Sequence, residues 1–219
     1  MNKFLPAFLC LVLLLAASGC AKIELNLRVN PDGTGEKETV VALNTDALAF
    51  AGMGGQDPLA ALHAQMQAKN PNAVITRYQE GDKVGFKAVA PFEAGRIVLD
   101  NEVWTGQFAV EERLFWRDYV LDMNTDLSFD EEAREFARLL PGLEVNVSVA
   151  LPVKVQEHNG ALDGSGQKVT WSLVPGTKDH LTLQARQYFV GRIAAVAAGV
   201  AALLTGLVLL IWKGRPRSA

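Results

Sequence analysis

Beyond residue 20 the chain has no cysteine; its two cysteines are Cys10 and Cys20. A disulfide framework and a cysteine metal site are therefore excluded from everything after that point. Histidine is scarce too, with only His63, His158 and His180. None stands at the HxxxH or HxxEH spacing that places two ligands on one helix face, so the sequence implies no metal site and no cofactor. A GxSxG nucleophile turn is missing, and the glycines at 52–55 are not followed by the Lys-Ser/Thr of a phosphate loop. Positive charge is sparse in the middle. All 24 acidic residues lie between Glu24 and Asp179, whereas Lys3, Arg192, Lys213, Arg215 and Arg217 take five of the 21 basic ones to the ends. Sixteen basic residues thus face 24 acidic ones, a net charge of −8, which repels nucleic acid and anionic headgroups alike. Attachment to a membrane must come from the ends.

The ends are built for it. Met1–Lys3 is a basic start, Phe4–Leu15 an apolar run, and Ala16-Ala17-Ser18-Gly19 a small-residue stretch leading into Cys20. That is the layout of a secretory signal peptide over 1–19. LAASG followed by Cys resembles the lipobox of bacterial lipoproteins. There the thiol accepts a diacylglyceryl group, and cleavage before Cys20 frees an amine for further acylation with palmitate or a similar chain. Each buried methylene adds roughly 0.8 kcal/mol to anchoring.

At the other end, Ile193–Trp212 is twenty residues without a charge. At ~1.5 Å per residue it covers the ~30 Å hydrocarbon core, predicting a transmembrane helix within 190–212. The tail 213–219 carries Lys213, Arg215 and Arg217, which the positive-inside rule places in the cytoplasm, leaving the domain on the extracytoplasmic side. Ala194, Ala195, Ala198, Gly199 and Ala202 permit close helix–helix contact and self-association, and equally fit plain helix filler.

Residues 20–188 form the domain. Alternation predicts strands at 22–29, 36–43, 74–79, 83–91, 107–115, 116–127, 143–156, 168–173 and 181–189, with turns at Asn30–Gly35, Glu80–Asp82 and Asp163–Gly166. Asp57-Pro58 opens a helix that Asn70-Pro71 ends, with Gly52–Gly55 before it as a loop. Ser128–Glu131 is a capping box opening a second helix, closed by Pro141-Gly142. The expected class is α+β: a mainly antiparallel sheet with about two helices packed on it, plus the C-terminal transmembrane helix.

Trp104, Phe108, Phe115, Trp116 and Tyr119 place five aromatics within sixteen residues. Such a cluster suits the lining of an apolar ligand cavity, and equally a packed sheet core. Glu111-Glu112 and Asp130–Glu132 are carboxylate runs, the second placed to complement a helix dipole. No nucleophile–base pair is legible, and no enzyme is expected.

The parts also come in a recognisable order. GCAKIELNLRVNPDGTGE at the start, LPVKVQEHNGALDGSGQKVTWSLVPG near the end, and one spanning helix after it resemble the LppM-like lipoprotein domain family. The resemblance runs from Cys20 to the tail. It implies a helix-grip-like fold, a curved sheet and helix enclosing an apolar cavity, and binding of an envelope lipid or lipoglycan. It supplies no catalytic motif and carries over Cys20 alone. The expectation is a membrane-anchored, non-enzymatic binding module for an envelope lipid; the alternative is a structural or assembly partner of another envelope protein.

Overall fold

A computed structural model describes residues 21–52, 57–100, 103–128 and 142–213. The chain opens with the hairpin β1 (Ala21–Val29) and β2 (Gly35–Asn44), then α1 (Thr45–Gly52) and α2 (Pro58–Lys69). Five strands follow: β3 (Val74–Glu80), β4 (Lys83–Phe92), β5 (Arg96–Asp100), β6 (Trp104–Glu112) and β7 (Trp116–Asp126). After them come β8 (Leu143–Ala150), β9 (Glu157–His158), β10 (Ala161–Leu162), β11 (Lys168–Leu173), β12 (Lys178–Tyr188) and α3 (Val190–Lys213). The expected second helix, Phe129 to Leu140, lies outside the described residues, as do 53–56 of the expected loop; Gly52 closes α1.

Local chemistry accounts for the elements. In the first turn the Asn30 carbonyl accepts from Gly33 N–H at 3.0 Å, and Asp32 Oδ1 accepts from Thr34 N–H and Oγ1 at 3.0 and 2.7 Å. Gly33 has φ +92°, the left-handed region glycine enters without a Cβ clash. Asp57 Oδ1 caps α2 by accepting from Leu59 N–H at 2.9 Å, and Asn70 N–H closes it on the Met66 carbonyl at 3.0 Å. Asn44 Oδ1 does the same for α1, accepting from Ala47 N–H at 2.7 Å.

The class is α+β and the pairing mainly antiparallel. The strands divide between two sheets, in the orders β10-β11-β8-β1-β2-β4-β3 and β5-β6-β7-β12-β9. Among the described pairings only β1–β8 is parallel, with Leu25 opposite Val147. Leu25, Leu27 and Val29, Val145, Val147 and Val149, and Val169, Trp171 and Leu173 point inward from the seven-stranded sheet. They meet Phe108, Val110, Tyr119, Leu121, Met123, Leu181, Leu183 and Ala185 of the five-stranded one. Every second residue is buried, as a pleat requires, and each fully buried large side chain contributes about 1.5–3 kcal/mol. α2 lies over the rest of the seven-stranded sheet, with Met66 buried and the His63 ring 4.9 Å from Phe86.

The expected single strand 143–156 ends at Ala150. Pro152 has no N–H for a ladder, and from there the chain crosses between sheets: Val155 N–H bonds to the Gly166 carbonyl, and Gln156 N–H to that of Gln184 in β12. β9 then joins the five-stranded sheet and β10 the seven-stranded one. Asn159 between them holds the two together. Its Oδ1 accepts from Trp171 Nε1 at 2.8 Å and from Thr182 N–H at 3.0 Å. A Cβ on the adjacent Gly160 would stand 2.7 Å from that indole nitrogen, which accounts for the Asn-Gly pair.

Candidate functional site

β12 runs into α3 with a single residue between them. Phe189 N–H donates to the Phe115 carbonyl at 2.8 Å, the last bond beside the β7–β12 ladder, and Ile193 N–H then donates to the Phe189 carbonyl at 3.1 Å to begin the helix. The corner leaves an apolar cleft of about 400 Å³ lined by Phe115, Trp116, Tyr188, Ile193, Val196 and Ala197. Trp116 keeps its polar edge occupied, donating from Nε1 to Asp118 Oδ2 at 3.0 Å. The Arg186 guanidinium lies 5.2 Å from the Trp116 ring centre and bonds Asp118 at 2.6 Å.

A charged cluster fastens the corner. Glu112, at the end of β6, pairs with Arg117 and, at 2.9 Å, with Arg192. Arg117 is buried and also donates to the Pro31 carbonyl. The Phe189 ring is near both guanidinia, 5.5 Å from Arg117 and 4.1 Å from Arg192, cation–π distances. The Arg117 bond, followed by that of Arg192, holds the Glu112 carboxyl below the usual carboxylate range. Burial pulls the Arg117 guanidinium down, but Glu112 and Tyr119 outweigh it and leave it raised. The corner therefore stays ionised and paired through the neutral range.

The five clustered aromatics part company. Phe108 and Tyr119 are fully buried between the sheets, Tyr119 donating its hydroxyl to Gln187 Oε1 at 2.7 Å. Burial pushes its phenol up. Trp104 packs against the core at the other end of β6, opposite Thr125. Phe115 and Trp116 come together at the cleft, with four residues the aromatic count does not find. The signal was parity: Tyr119, Leu121 and Met123 point inward, so Trp116 points out. Cys20 lies outside the described residues, and Ala21 after it begins β1.

The histidines stand apart from the cleft. His158 Nδ1 is 2.9 Å from the Gly160 carbonyl, and His180 Nε2 is 2.8 Å from Asp122 Oδ1. Among the described residues no group of three or more His, Cys, Asp or Glu side chains converges as metal ligands do. A second cleft, about 250 Å³, lies between the end of α2 and the β4–β5 corner, where Phe92 and Ile97 are joined by Lys37, Lys69 and Asn70. Its lining is more polar than that of the cleft beside α3. α3 itself is long and apolar enough to cross a membrane, and none of Val190–Leu207 is buried.

Among curated proteins, none matches the chain significantly. Among solved structures, the chain is similar to the NMR structure of the folded domain of the Mycobacterium tuberculosis LppM protein. The two are 16% identical, with a TM-score of 0.45 over 77% of this chain and 91% of that one. The family model for the LppM domain matches residues 22–187, all of the strand-built domain up to the last residues of β12, and the chain therefore belongs to the LppM domain family.

Proposed function

We propose that the chain is a membrane-anchored lipoprotein whose domain, without catalysing a reaction, holds an envelope lipid or another apolar ligand. The observation that supports this most is the cleft at Phe115, Trp116, Tyr188, Ile193, Val196 and Ala197. Its volume falls within the ~300–1,000 Å³ of small-molecule sites. One wall is the first turns of α3, so a spanning α3 puts the opening where acyl chains meet headgroups. The aromatic wall matches an aliphatic chain, and Arg186 and Arg192 stand near it.

In this reading residues 1–19 are removed as a signal, Cys20 carries acyl chains, and α3 crosses the membrane. The domain stands on the extracytoplasmic side and the basic tail in the cytoplasm. Native mass spectrometry of the detergent-solubilised full chain tests the ligand. The wild type is expected to carry lipid mass, and Trp116→Ala to lower its occupancy about tenfold, a loss of ~1.4 kcal/mol. A wild-type spectrum free of lipid would sink the proposal.

The second reading, an assembly partner for another envelope protein or for a second copy, is favoured by α3 alone. Its small residues Ala194, Ala195, Ala198, Gly199 and Ala202 are exposed. Crosslinking at Ala198 distinguishes the two: a discrete crosslinked species that survives Trp116→Ala supports assembly.

A further inference from the structure

The two proposed anchors leave the domain at opposite ends. Cys20 is bonded to Ala21, which is fixed in mid-sheet between Leu43 of β2 and Leu143 of β8. β1 then runs nine residues, about 26 Å at ~3.3 Å per residue, to Val29. The turn beyond it is where α3 begins. Arg117 donates to the Pro31 carbonyl, and the neighbouring Trp116 is the register partner of Tyr188, the last residue of β12. β12 itself starts back at the Ala21 end, since Leu173 of β11 pairs with Val145, and Val145 with Ile23. Both β1 and β12 therefore run from the Cys20 end towards the helix end.

We infer that the domain lies lengthwise on one bilayer, the axis of β1 along the membrane plane, pinned at one end by the acyl chains of Cys20 and at the other by α3. The inference rests on the reading that Cys20 is acylated and α3 spans. Upright on α3, the domain would hold Cys20 about 26 Å clear of the headgroups. One peptide link, ~3.8 Å between Cα atoms, cannot return it to the bilayer. The acyl chains would be left in water, where every methylene is unfavourable. Lying down places both anchors in the same leaflet region. The change of direction falls at Phe189–Gly191, where the strand ladder has ended and nothing lies within 4 Å of a Cβ built on Gly191. Each end also offers an exposed apolar side chain: Leu114, 67% exposed, at the helix end, and Val174, 61% exposed, in the loop after β11 at the Cys20 end.

The full acylated chain in phosphatidylcholine–phosphatidylglycerol vesicles containing a headgroup-nitroxide lipid provides the test. The mature chain has no free thiol once Cys20 is acylated, so a fluorophore placed by Leu114→Cys or Val174→Cys labels one site. Both probes are expected to be quenched to a similar extent. Inserting roughly ten Gly/Ser residues between Cys20 and Ala21 lets the far end rise, so the Val174→Cys probe loses its quenching and the Leu114→Cys probe keeps it. A Val174→Cys probe unquenched in protein whose N-terminal peptide mass includes the acyl chains overturns the orientation, as does quenching that the insertion leaves unchanged. An N-terminal peptide without acyl mass overturns the anchoring itself, and the orientation with it.

Discussion

Arg192, the last charge before the apolar run, is bonded to Glu112 at 2.9 Å across 80 residues of chain. Glu112 also holds Arg117, and Arg117 holds the Pro31 carbonyl. The helix is thus tied through three side chains to the first hairpin.

Replacing Arg117 with Met removes the member that reaches the hairpin. It keeps most of the aliphatic bulk but leaves the Pro31 carbonyl without its side-chain donor and Glu112 with Arg192 alone. A loss of about 2 kcal/mol is expected, the scale of a charged hydrogen bond at a buried site, lowering the melting temperature by roughly 4–8 °C for a domain of this size. Thermal denaturation followed by circular dichroism checks it; an unchanged midpoint would mean that the tie contributes nothing.

Phe108 and Trp116 separate core from cleft. Phe108→Ala opens a cavity between the sheets and is expected to cost about 3–5 kcal/mol. Trp116→Ala, at a half-buried position lining the cleft, is expected to cost less than half as much. Denaturant titration of the two variants side by side gives the comparison, and equal losses would place Trp116 in the core.

Asn159→Ala removes the acceptor for Trp171 Nε1 and Thr182 N–H at once. Both donors sit where the sheets join, and a loss of about 1–2 kcal/mol is expected. Hydrogen exchange at Thr182 amide is the local readout, and it should quicken in the variant more than amides of β2 do.

Acid acts on Asp126. The Lys178 ammonium at 2.6 Å, and then Ser128, hold its carboxyl down at about 2. A carboxyl lowered on folding stabilises the fold above its unfolded value, near 4, and the contribution drains away as pH falls towards 2. The melting-temperature gap between wild type and Asp126→Asn is therefore expected at pH 6 and mostly lost by pH 2. The pair is exposed, so the gap is small; a gap undiminished at pH 2 would trace it to something other than charge.

How much of this was legible depends on the range of the signal. The turn of the first hairpin and the ends of α2 rest on contacts a few residues long, which Asn-Pro-Asp-Gly and Asp-Pro mark, and alternation alone marks the strand Lys168–Leu173. α1 went unread because its cap, Asn44, is also the last residue of a strand. β5 is only five residues, Arg96–Asp100, too short for a clear alternation. Alternation shows that Leu25 and Leu121 point to an interior. It does not say that they come from different sheets, because that depends on which strands neighbour each other. The cleft was half legible for the same reason: Phe115 and Trp116 stand in an aromatic run, but their partners Ile193 and Val196 are about 80 residues away and read simply as helix.

The parallel pairing of β1 with β8 has a temporal side. Asn26 and Ser148, 122 positions apart in the chain, meet at 2.6 Å, and no local hairpin can close a parallel pair. β1 is hydrogen-bonded on one side by its hairpin partner, and its other edge waits until residues 143–150 exist. A chain stopped before Leu143 keeps that edge open to any passing strand, and the pairing adds contacts of high sequence separation, the kind that slow folding.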